Sequence, residues 1–330
     1  MKQDIIERIN RLAGEGEPFL FVIDYLGTEA YIHKLAEIDS RECLYDFEGV
    51  TNIRPVPLAP LARQPKWEVE APNMANYRRS FDLVRKHILD GNSYLVNLTC
   101  RVAVDSDLSL GEIFRRTRGK YRLWLNHVGS EGKEIVCFSP ETFVRIRGGR
   151  IFSYPMKGTI DAATPDAVQV LMGDAKEAAE HATIVDLIRN DLSRVACDVR
   201  VDRYRYIDRL HTNKGDILQT SSEISGRLPS DYRAHIGDIL AAMLPAGSIT
   251  GAPKDKTMEI IREAEGYDRG FYTGIMGICD GGSLNSAVMI RFIERDASGM
   301  YFKAGGGITC KSLCRKEYEE VLQKVYLPIE

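Results

Sequence analysis

A carboxylate and an amine flank a predicted β-hairpin near the middle of the chain. The segment at residues 139–159 reads SPETFVRIRGGRIFSYPMKGT, with apolar residues on both sides of Gly148 and Gly149. Two short apolar runs around a Gly-Gly pair are typical of a hairpin with a tight turn. Glu141 enters this hairpin and Lys157 leaves it, so their separation in sequence need not separate them in space.

The sequence around Lys157 suits a reactive amine. Pro155 removes a backbone donor just before it, and Gly158 just after it lets the backbone approach a ligand closely. Desolvation in such a turn lowers the pKa of a lysine and makes it a nucleophile, and a nearby carboxyl group can act as general acid for a leaving hydroxyl. The alternative is a solvated hairpin with an ordinary surface lysine, because most lysines are exposed.

Three more carboxylates lie on predicted helices. Glu317 and Glu320 are three residues apart and Lys324 follows four residues later, so all three share one face of a C-terminal helix. Glu180 lies one turn before an apolar residue on a helix predicted at residues 174–196. Carboxylate oxygens, completed by waters, are the ligands that magnesium prefers. The alternative for the C-terminal pair is an exposed Glu-to-Lys ion pair.

Three further features are suited to binding an anion. The loop at residues 245–254, PAGSITGAPK, lacks the Gly-Lys-Ser/Thr ending of a nucleotide loop, but its hydroxyls before a helix suit a carboxylate. Arg291 lies in a predicted apolar strand and needs a partner, either a structural acid or a substrate carboxylate. Gly305, Gly306 and Gly307 leave backbone N–H groups unshielded for a carboxylate, unless they form a sharp turn at a sheet edge.

Positioning these side chains requires strands and helices from most of the chain. Apolar periodicity predicts helices at residues 1–13, 108–118, 174–196, 232–244 and 255–265, and a strand at residues 284–295 around Arg291. A connection rich in proline and polar residues at residues 51–75 divides a short N-terminal subregion, residues 1–72, from a catalytic domain at residues 73–330. We expect the N-terminal subregion to be integrated into the same fold.

The composition argues against several classes of protein. The chain of 330 residues is 44% hydrophobic and 28% charged, with a formal net charge of −3, so no nucleic-acid partner is expected. Its seven cysteines include no Cys-x-x-Cys pair, which predicts neither disulfides nor zinc and favours a cytoplasmic location. The charged N-terminus does not read as a signal peptide, and no apolar run has the length of a membrane span, so no membrane partner is expected.

Seven motifs in a fixed order connect the chain to a known family. They are SPETF, PMKGT, EHATIVDLIRNDLSRVA, PAGSITGAPK, VMIRFIE, AGGGIT and KEYEEVLQKV. Together they resemble the chorismate-utilising enzymes, which include anthranilate, aminodeoxychorismate, isochorismate and salicylate synthases, over residues 73–327. The resemblance implies an α+β fold of two large, mainly antiparallel β-sheets packed face to face with flanking helices. It also implies chorismate as substrate and magnesium as cofactor.

The same resemblance implies roles for individual residues. Lys157 would be the nucleophile and Glu141 the general acid. Glu180 and Glu320 would bind magnesium, with Glu317 close by. Substrate contacts would come from Arg291, Gly305, Gly306, Gly307, Lys324, Thr159, Gln219, Ser248 and Thr250.

The Pro-x-Lys-Gly-Thr motif is similar to that of the aminodeoxychorismate synthases, because anthranilate and isochorismate synthases typically have Ala in place of Lys157. This implies a magnesium-dependent transferase of p-aminobenzoate and folate biosynthesis. It would join chorismate and ammonia into 4-amino-4-deoxychorismate through a covalent Lys157 adduct. The ammonia would come from a separate glutamine amidotransferase subunit, because this chain has no nucleophilic-cysteine motif of that kind. The alternatives are an anthranilate synthase component I and a non-catalytic chorismate-binding subunit.

Two positions depart from the family pattern. Leu95 stands where family members carry Gln, or a Lys that activates water in isochorismate synthases. Because leucine cannot act as a base, this argues against addition of water. Gln219 stands where many members have His, and it can still hydrogen-bond a substrate oxygen.

Overall fold

The chain is an α+β protein built on two nine-stranded antiparallel sheets, as expected from the sequence. A computed structural model describes residues 1–55, 58–212, 215–327 and 329. The predicted connection at residues 51–75 includes residues 56 and 57, which lie outside the described residues. No helix in the described part of the chain is long and apolar enough to cross a membrane.

The helices and strands are as follows. The helices are α1 (Gln3–Gly14), α2 (Met74–Leu89), α3 (Leu110–Arg116), α4 (Ala167–Gly173), α5 (Ala175–Ser193), α6 (Ile236–Met243), α7 (Lys254–Glu265) and α8 (Cys314–Lys324). The strands are β1 (Phe19–Ile23), β2 (Ala30–Lys34), β3 (Cys43–Phe47), β4 (Val50–Thr51), β5 (Trp67–Glu70), β6 (Leu95–Ser106), β7 (Tyr121–Val128), β8 (Lys133–Ser139), β9 (Thr142–Arg147), β10 (Arg150–Ser153), β11 (Met156–Asp161), β12 (Cys197–Thr212), β13 (Gly215–Arg227), β14 (Gly251–Ala252), β15 (Ile275–Asp280), β16 (Ser283–Val288), β17 (Phe292–Asp296) and β18 (Gly299–Ile308). Short 3₁₀ turns occupy Leu35–Glu37, Tyr232–His235 and Gly247–Ile249.

The chain divides into two compact units, each made of separate segments. The first unit comprises residues 1–18, 141–248 and 279–286, and the second comprises residues 19–140, 249–278 and 287–330. The predicted boundary after residue 72 therefore falls within the second unit.

The hairpin predicted from the Gly-Gly pair is confirmed in the first unit. Strands β9 and β10 pair antiparallel with Ile146 opposite Ile151. Gly148 and Gly149 form the turn with φ values of 57° and 73°, a left-handed backbone that glycine adopts without steric penalty. Strand β10 then pairs with β13, and β13 also pairs with β11 and β12.

Helix α5 of the first unit follows the predicted helix closely. Its N-cap residue Asp174 accepts hydrogen bonds from the backbone N–H groups of Lys176 and Glu177, which satisfies two of the donors that a helix start leaves unpaired. Ile184 and Leu192 are buried on its inner face. The helix thereby presents the residues of its first two turns next to the strands of the first unit.

The second unit contains the sheet to which β18, the strand with Gly305, Gly306 and Gly307, belongs. Its strand order is β14-β6-β18-β17-β8-β7-β3-β4, and β5 pairs with β6. Helices α2, α3, α7 and α8 contribute to one apolar core on this sheet, which includes Phe81, Phe114, Ile260 and Val321. Buried residues mostly alternate with half-buried ones in β18 and β6, as expected for strands with one face on an apolar core.

The predicted strand at residues 284–295 is wrong in one respect, because it is interrupted. Strand β16 ends at Val288 and β17 begins at Phe292, and Arg291 lies in the bend between them with φ 55°. Met289 bonds through its backbone N–H and C=O to the segment at residues 273–274. These hydrogen bonds interrupt the strand, so the backbone of Arg291 is in the left-handed region rather than in the extended conformation of a strand.

Candidate active site

Lys157 of the first unit is held by its backbone and by its ammonium group. It lies in β11 opposite Thr220 of β13, and the hydroxyl of Thr220 donates a hydrogen bond to the Lys157 carbonyl. Its Nζ donates to Oε2 of Glu180 at 3.1 Å. The side chains of Lys157 and Glu180 are 33% and 24% exposed, so this ion pair is partly withdrawn from water. Lys176 also approaches Glu180, at 3.5 Å.

A β-bulge beside Lys157 explains the need for Gly158. The pairing of β11 with β13 shifts register between Lys157 and Thr159, and Gly158 takes φ 70°. A Cβ atom at Gly158 would lie 3.0 Å from Oε2 of Glu177. Gly158 therefore allows both the bulge and the close approach of helix α5. Thr159 pairs with Gln219, so these two predicted substrate contacts are cross-strand neighbours.

Glu177 is a residue of this group that sequence reasoning did not select. It lies one turn before Glu180 on α5, and its carboxylate reaches the backbone next to Lys157. Burial raises the pKa of Glu177, and the negative charge of Glu180 raises it further. The spacing of three residues before Glu180 is the sequence signal that would have identified it.

His181 is buried next to this ion pair. Its Nε2 lies 2.6 Å from Oγ of Ser222, and that hydroxyl also accepts the backbone N–H of Arg205. Burial lowers the pKa of His181 to about 4, and the positive charges of Arg205 and Lys157 add to the effect. The imidazole is therefore neutral at neutral pH and joins α5 to β13 by a hydrogen bond.

Glu141, the predicted general acid, is oriented by Ser248. The Ser248 hydroxyl donates a hydrogen bond of 2.7 Å to Oε1 of Glu141. Both residues belong to the first unit. Ser248, which was predicted to contact substrate, thus bonds the carboxyl group predicted to protonate a leaving hydroxyl.

In the second unit, Gly305, Gly306 and Gly307 lie in an extended strand rather than in a turn. They pair with Thr99, Leu98 and Asn97 of β6. These three glycines, called the glycine stretch below, lie beyond the part of β18 that pairs with β17, because that pairing ends at Lys303. A Cβ at Gly305 would lie 2.6 Å from the Leu98 carbonyl oxygen, so no other side chain fits there.

Helix α8 brings its polar face over the glycine stretch. A Cβ at Gly306 would lie 3.6 Å from Oε2 of Glu317, 3.8 Å from Oε1 of Glu320 and 3.8 Å from Nζ of Lys324. Lys324 Nζ donates to the Gly305 carbonyl at 2.8 Å and pairs with Glu320 at 2.7 Å. The three residues predicted to share one helical face therefore converge on one point of the strand.

Three other residues of the second unit border this strand or precede it. Thr250 is fully buried, and its carbonyl accepts from Asn97 N–H at 2.9 Å. Arg291 is half-buried, and its carbonyl accepts from Phe138 N–H. The side chain of Leu95 lies beside Gly307, where a Cβ would be 3.0 Å from Cδ1 of Leu95. The apolar side chain of Leu95 cannot act as a general base at this position.

The donor chemistry in both units fits magnesium. Glu180 and Glu177 supply carboxylates in the first unit, and Glu317 and Glu320 supply carboxylates in the second, which are the hard oxygen ligands of that ion. The described residues of neither unit hold a preassembled cluster of three or more metal-ligating side chains. Magnesium binding by Glu180, Glu317 and Glu320 stays a prediction.

Comparisons with known proteins agree with the fold. A family model described as chorismate binding enzyme matches residues 19–330. An uncharacterized PabA-like protein of Haemophilus influenzae is 48% identical over 99% of this chain and 97% of its own length. Aminodeoxychorismate synthase component 1 of Salmonella typhimurium is 33% identical over 76% of this chain and 56% of its own length.

A solved structure gives the same architecture. Anthranilate synthase component I from Streptococcus pneumoniae superimposes with a TM-score of 0.67 and 26% identity, over 79% of this chain and 58% of that one. The chain thus spans little more than half the length of the last two relatives. Similarity to these relatives establishes the fold, and the reaction has to be inferred from the residues of the candidate site.

Proposed function

Because this chain belongs to the family of chorismate binding enzymes, we propose that it converts chorismate and ammonia to 4-amino-4-deoxychorismate. It would act as an aminodeoxychorismate synthase component I. The observation that carries the proposal is Lys157 in the PMKGT strand, hydrogen-bonded to Glu180 at 3.1 Å. The similarity to the Salmonella typhimurium relative supports the same assignment.

The proposed reaction has two displacement steps. The amine of Lys157 attacks C2 of the ring, the bond from C4 to its hydroxyl breaks, and Glu141 gives the departing oxygen a proton, so water leaves. Ammonia then forms a bond to C4, and the bond from C2 to the lysine nitrogen breaks, so Lys157 recovers its electron pair. The proton that the new C4 nitrogen loses restores the acid form of Glu141. The sum is chorismate plus ammonia giving aminodeoxychorismate plus water. A lysine suits both steps because it is a nucleophile and, once protonated, a leaving group.

The environment of Lys157 and Glu141 supports these roles. Lys157 must lose a proton before it attacks, and Glu180, with Oε2 at 3.1 Å from Nζ, can accept it. The hydrogen bond from Ser248 to Oε1 of Glu141 orients the carboxyl group that would protonate the leaving hydroxyl. The general-acid step is therefore assigned to a carboxyl group of fixed orientation.

Chorismate carries two carboxylates, and the second unit offers groups for binding them. Arg291, Lys324 and the backbone N–H groups of the glycine stretch would bind carboxylate oxygens. The carboxylates proposed for magnesium are Glu180 in the first unit and Glu317 and Glu320 in the second, and the ion when bound would supply positive charge for a substrate carboxylate. Thr159, Gln219 and Thr250 would contact polar groups of the substrate.

Anthranilate synthesis is the second candidate, favoured by the similarity to the solved anthranilate synthase component I. The two candidates use the same substrates but differ in product, because anthranilate formation releases pyruvate. Lys157 argues for the first candidate, and Leu95 argues against a third outcome in which water adds to the ring.

Product identity tests the proposal. The pure chain is incubated with chorismate, magnesium and an ammonium salt at alkaline pH, and the products are analysed by mass spectrometry and fluorescence. A non-aromatic amino-deoxy product without pyruvate is expected. Fluorescent anthranilate with pyruvate, or no consumption of chorismate, would overturn the proposal.

A further inference from the structure

Strand β6 has an edge that another strand covers only in part. Strand β14 pairs with β6 at two positions, Gly251 with Val96 and Ala252 with Leu95. Strand β5 pairs with β6 only at residues 103–106. Buried backbone groups between these two contacts need other partners.

A buried ion pair supplies those partners. The guanidinium of Arg269 donates to the carbonyl of Asn97 at 2.6 Å, and Oε1 of Glu265 accepts the N–H of Thr99 at 2.8 Å. The two side chains also bond each other twice, at 2.6 and 2.8 Å. Arg269 and Glu265 are 2% and 1% exposed. Together they act on β6 as a neighbouring strand would.

The same arginine holds a second segment. Nη1 of Arg269 donates to the carbonyl of Ile249 at 2.9 Å, directly before Thr250. Thr250 in turn accepts the N–H of Asn97 through its own carbonyl. One guanidinium therefore fixes the start of β6 and the loop beside it to each other.

The backbone groups held by this ion pair lie opposite the glycine stretch. Asn97 pairs with Gly307 and Thr99 pairs with Gly305 on the other edge of β6. A shift of β6 at these residues would move the glycine backbone, because the ladder hydrogen bonds connect them. The backbone of Arg269 is itself anchored, since the buried Lys303 donates to its carbonyl at 2.9 Å.

Burying an ion pair in a protein core is energetically unfavourable compared with burying apolar side chains. Desolvating both charges is expensive, and apolar side chains of similar volume often serve stability as well or better. Apolar side chains could not bond Asn97, Thr99 and Ile249 at the same time. The directional bonds to three backbone groups are therefore what the pair provides beyond packing.

We propose that Arg269 and Glu265 are positioning residues. They do not contact chorismate themselves, but they hold the glycine stretch and Thr250 in the geometry that binds it. This inference rests on the proposed function, because that function assigns substrate carboxylates to this face of the second unit. Arg269 keeps both segments in register through its planar fork of donors, a geometry that lysine lacks.

The test compares Arg269→Lys with a matched control, Arg122→Lys. Arg122 is also a mostly buried arginine of the second unit that bonds a carboxylate, Asp46, and backbone carbonyls. Each variant is measured for thermal stability, for hydrogen exchange of peptides covering residues 95–99, 249–252 and 305–308, and for KM and kcat with chorismate and an ammonium salt. The exchange measurement needs no substrate.

For Arg269→Lys we expect faster exchange in all three peptides and a KM for chorismate raised between about ten- and a hundredfold, because small misplacements of binding groups weaken productive binding strongly. At an equal loss of Tm, Arg122→Lys should leave exchange in these peptides and KM within twofold of the unmodified chain. Unchanged exchange or KM in Arg269→Lys, or an equal rise of KM in Arg122→Lys, would overturn the inference. Failure of the unmodified chain to consume chorismate would overturn the proposed function instead, while the exchange data would still decide whether Arg269 holds the three segments.

Discussion

The side chains around Lys157 form a compact arrangement of opposite charges on two elements. Glu180 bonds the ammonium directly, and Glu177 approaches the backbone at Gly158. The Glu180 carboxylate lies within hydrogen-bond distance of the amine and is therefore placed to accept a proton from it. A lysine in such a setting is suited to repeated attack and release, which is the role that the proposed reaction gives it.

His181 makes the stability of the chain depend on pH. Its pKa is about 4 in the folded chain, against about 6.5 for an unperturbed histidine. Between these pH values the unfolded chain binds a proton at His181 that the folded chain excludes. The contribution of His181 to the free energy of unfolding is therefore present above pH 6.5 and is lost as pH falls toward 4. The contribution is about 3 kcal/mol.

His181→Gln should therefore remove about 3 kcal/mol of pH dependence between pH 6.5 and 4 from the free energy of unfolding. Glutamine can still hydrogen-bond Ser222 but does not titrate. Denaturant unfolding at a series of pH values measures the effect, with His235→Gln, at an exposed position, as control. An unchanged slope in His181→Gln would show that another group carries the pH dependence.

Gly306→Ala separates binding from folding at the glycine stretch. The new methyl group would lie at ordinary van der Waals distances, 3.6 to 3.8 Å, from the polar ends of Glu317, Glu320 and Lys324. The free energy of unfolding should change by less than about 0.5 kcal/mol, as for other substitutions without a steric conflict. KM for chorismate should rise because the methyl group occupies the space proposed for a carboxylate.

Steady-state kinetics and denaturant unfolding check this prediction together. Gly173→Ala, where a Cβ meets no atom within 4 Å, is the control. A Gly306→Ala variant with normal KM would exclude this point of the strand from the substrate site.

At the scale of elements, the bulge in β11 and the turn of the β9–β10 hairpin offer a matched pair of glycines. Gly158 and Gly149 have φ values of 70° and 73°, so alanine at either position should cost about 1 kcal/mol of stability through backbone strain. Only at Gly158 would the methyl group meet neighbours, Glu177 at 3.0 Å and Leu171 at 3.2 Å. Gly158→Ala should therefore also lower turnover, because Glu177 and α5 must move away from Lys157.

Unfolding free energies and kcat of the two variants decide this point. Gly149→Ala is expected to keep full turnover, because no atom lies within 4 Å of the added methyl group. Equal turnover in both variants would mean that the approach of α5 to the bulge has no part in catalysis.

Local patterns predicted the elements near the site well. The Gly-Gly hairpin, helix α5 and the polar face of α8 follow from short-range signals, namely turn residues, capping and spacing of three and four residues. The bend at Arg291 was missed because hydrogen bonds from Met289 to residues distant in sequence create it. Arg269 was missed for a similar reason, since its partners on β6 lie far away in the sequence.

At the scale of the whole molecule, each of the two units contains some of the predicted site residues. Glu141, Lys157 and Glu180 belong to the first unit, whereas Arg291 and Glu320 belong to the second. Sequence motifs predicted both groups and the fold class, because together they resemble the chorismate-utilising enzymes. The division into units could not be predicted, because each unit is assembled from segments that are not contiguous in sequence.

The chain by itself should use ammonium but not glutamine. The chain has no nucleophilic-cysteine motif of a glutamine amidotransferase, and burial raises the pKa of Cys43, Cys100 and Cys279 to about 12, which disfavours a reactive thiolate at those three positions. Chorismate consumption by the pure chain is measured with glutamine and with ammonium chloride as nitrogen source. Turnover with glutamine alone would contradict the assignment of glutaminase activity to a separate subunit.

The covalent step on Lys157 is the central claim, and peptide mass spectrometry tests it most directly. The chain is incubated with chorismate and magnesium without ammonia, quenched and digested, with Lys157→Ala as control. The account predicts that the peptide containing Lys157 gains the mass of chorismate less water, and that the variant gains nothing and loses turnover by about three orders of magnitude or more. An unmodified Lys157 in a chain that still makes aminodeoxychorismate from ammonium, or full turnover in Lys157→Ala, would contradict it.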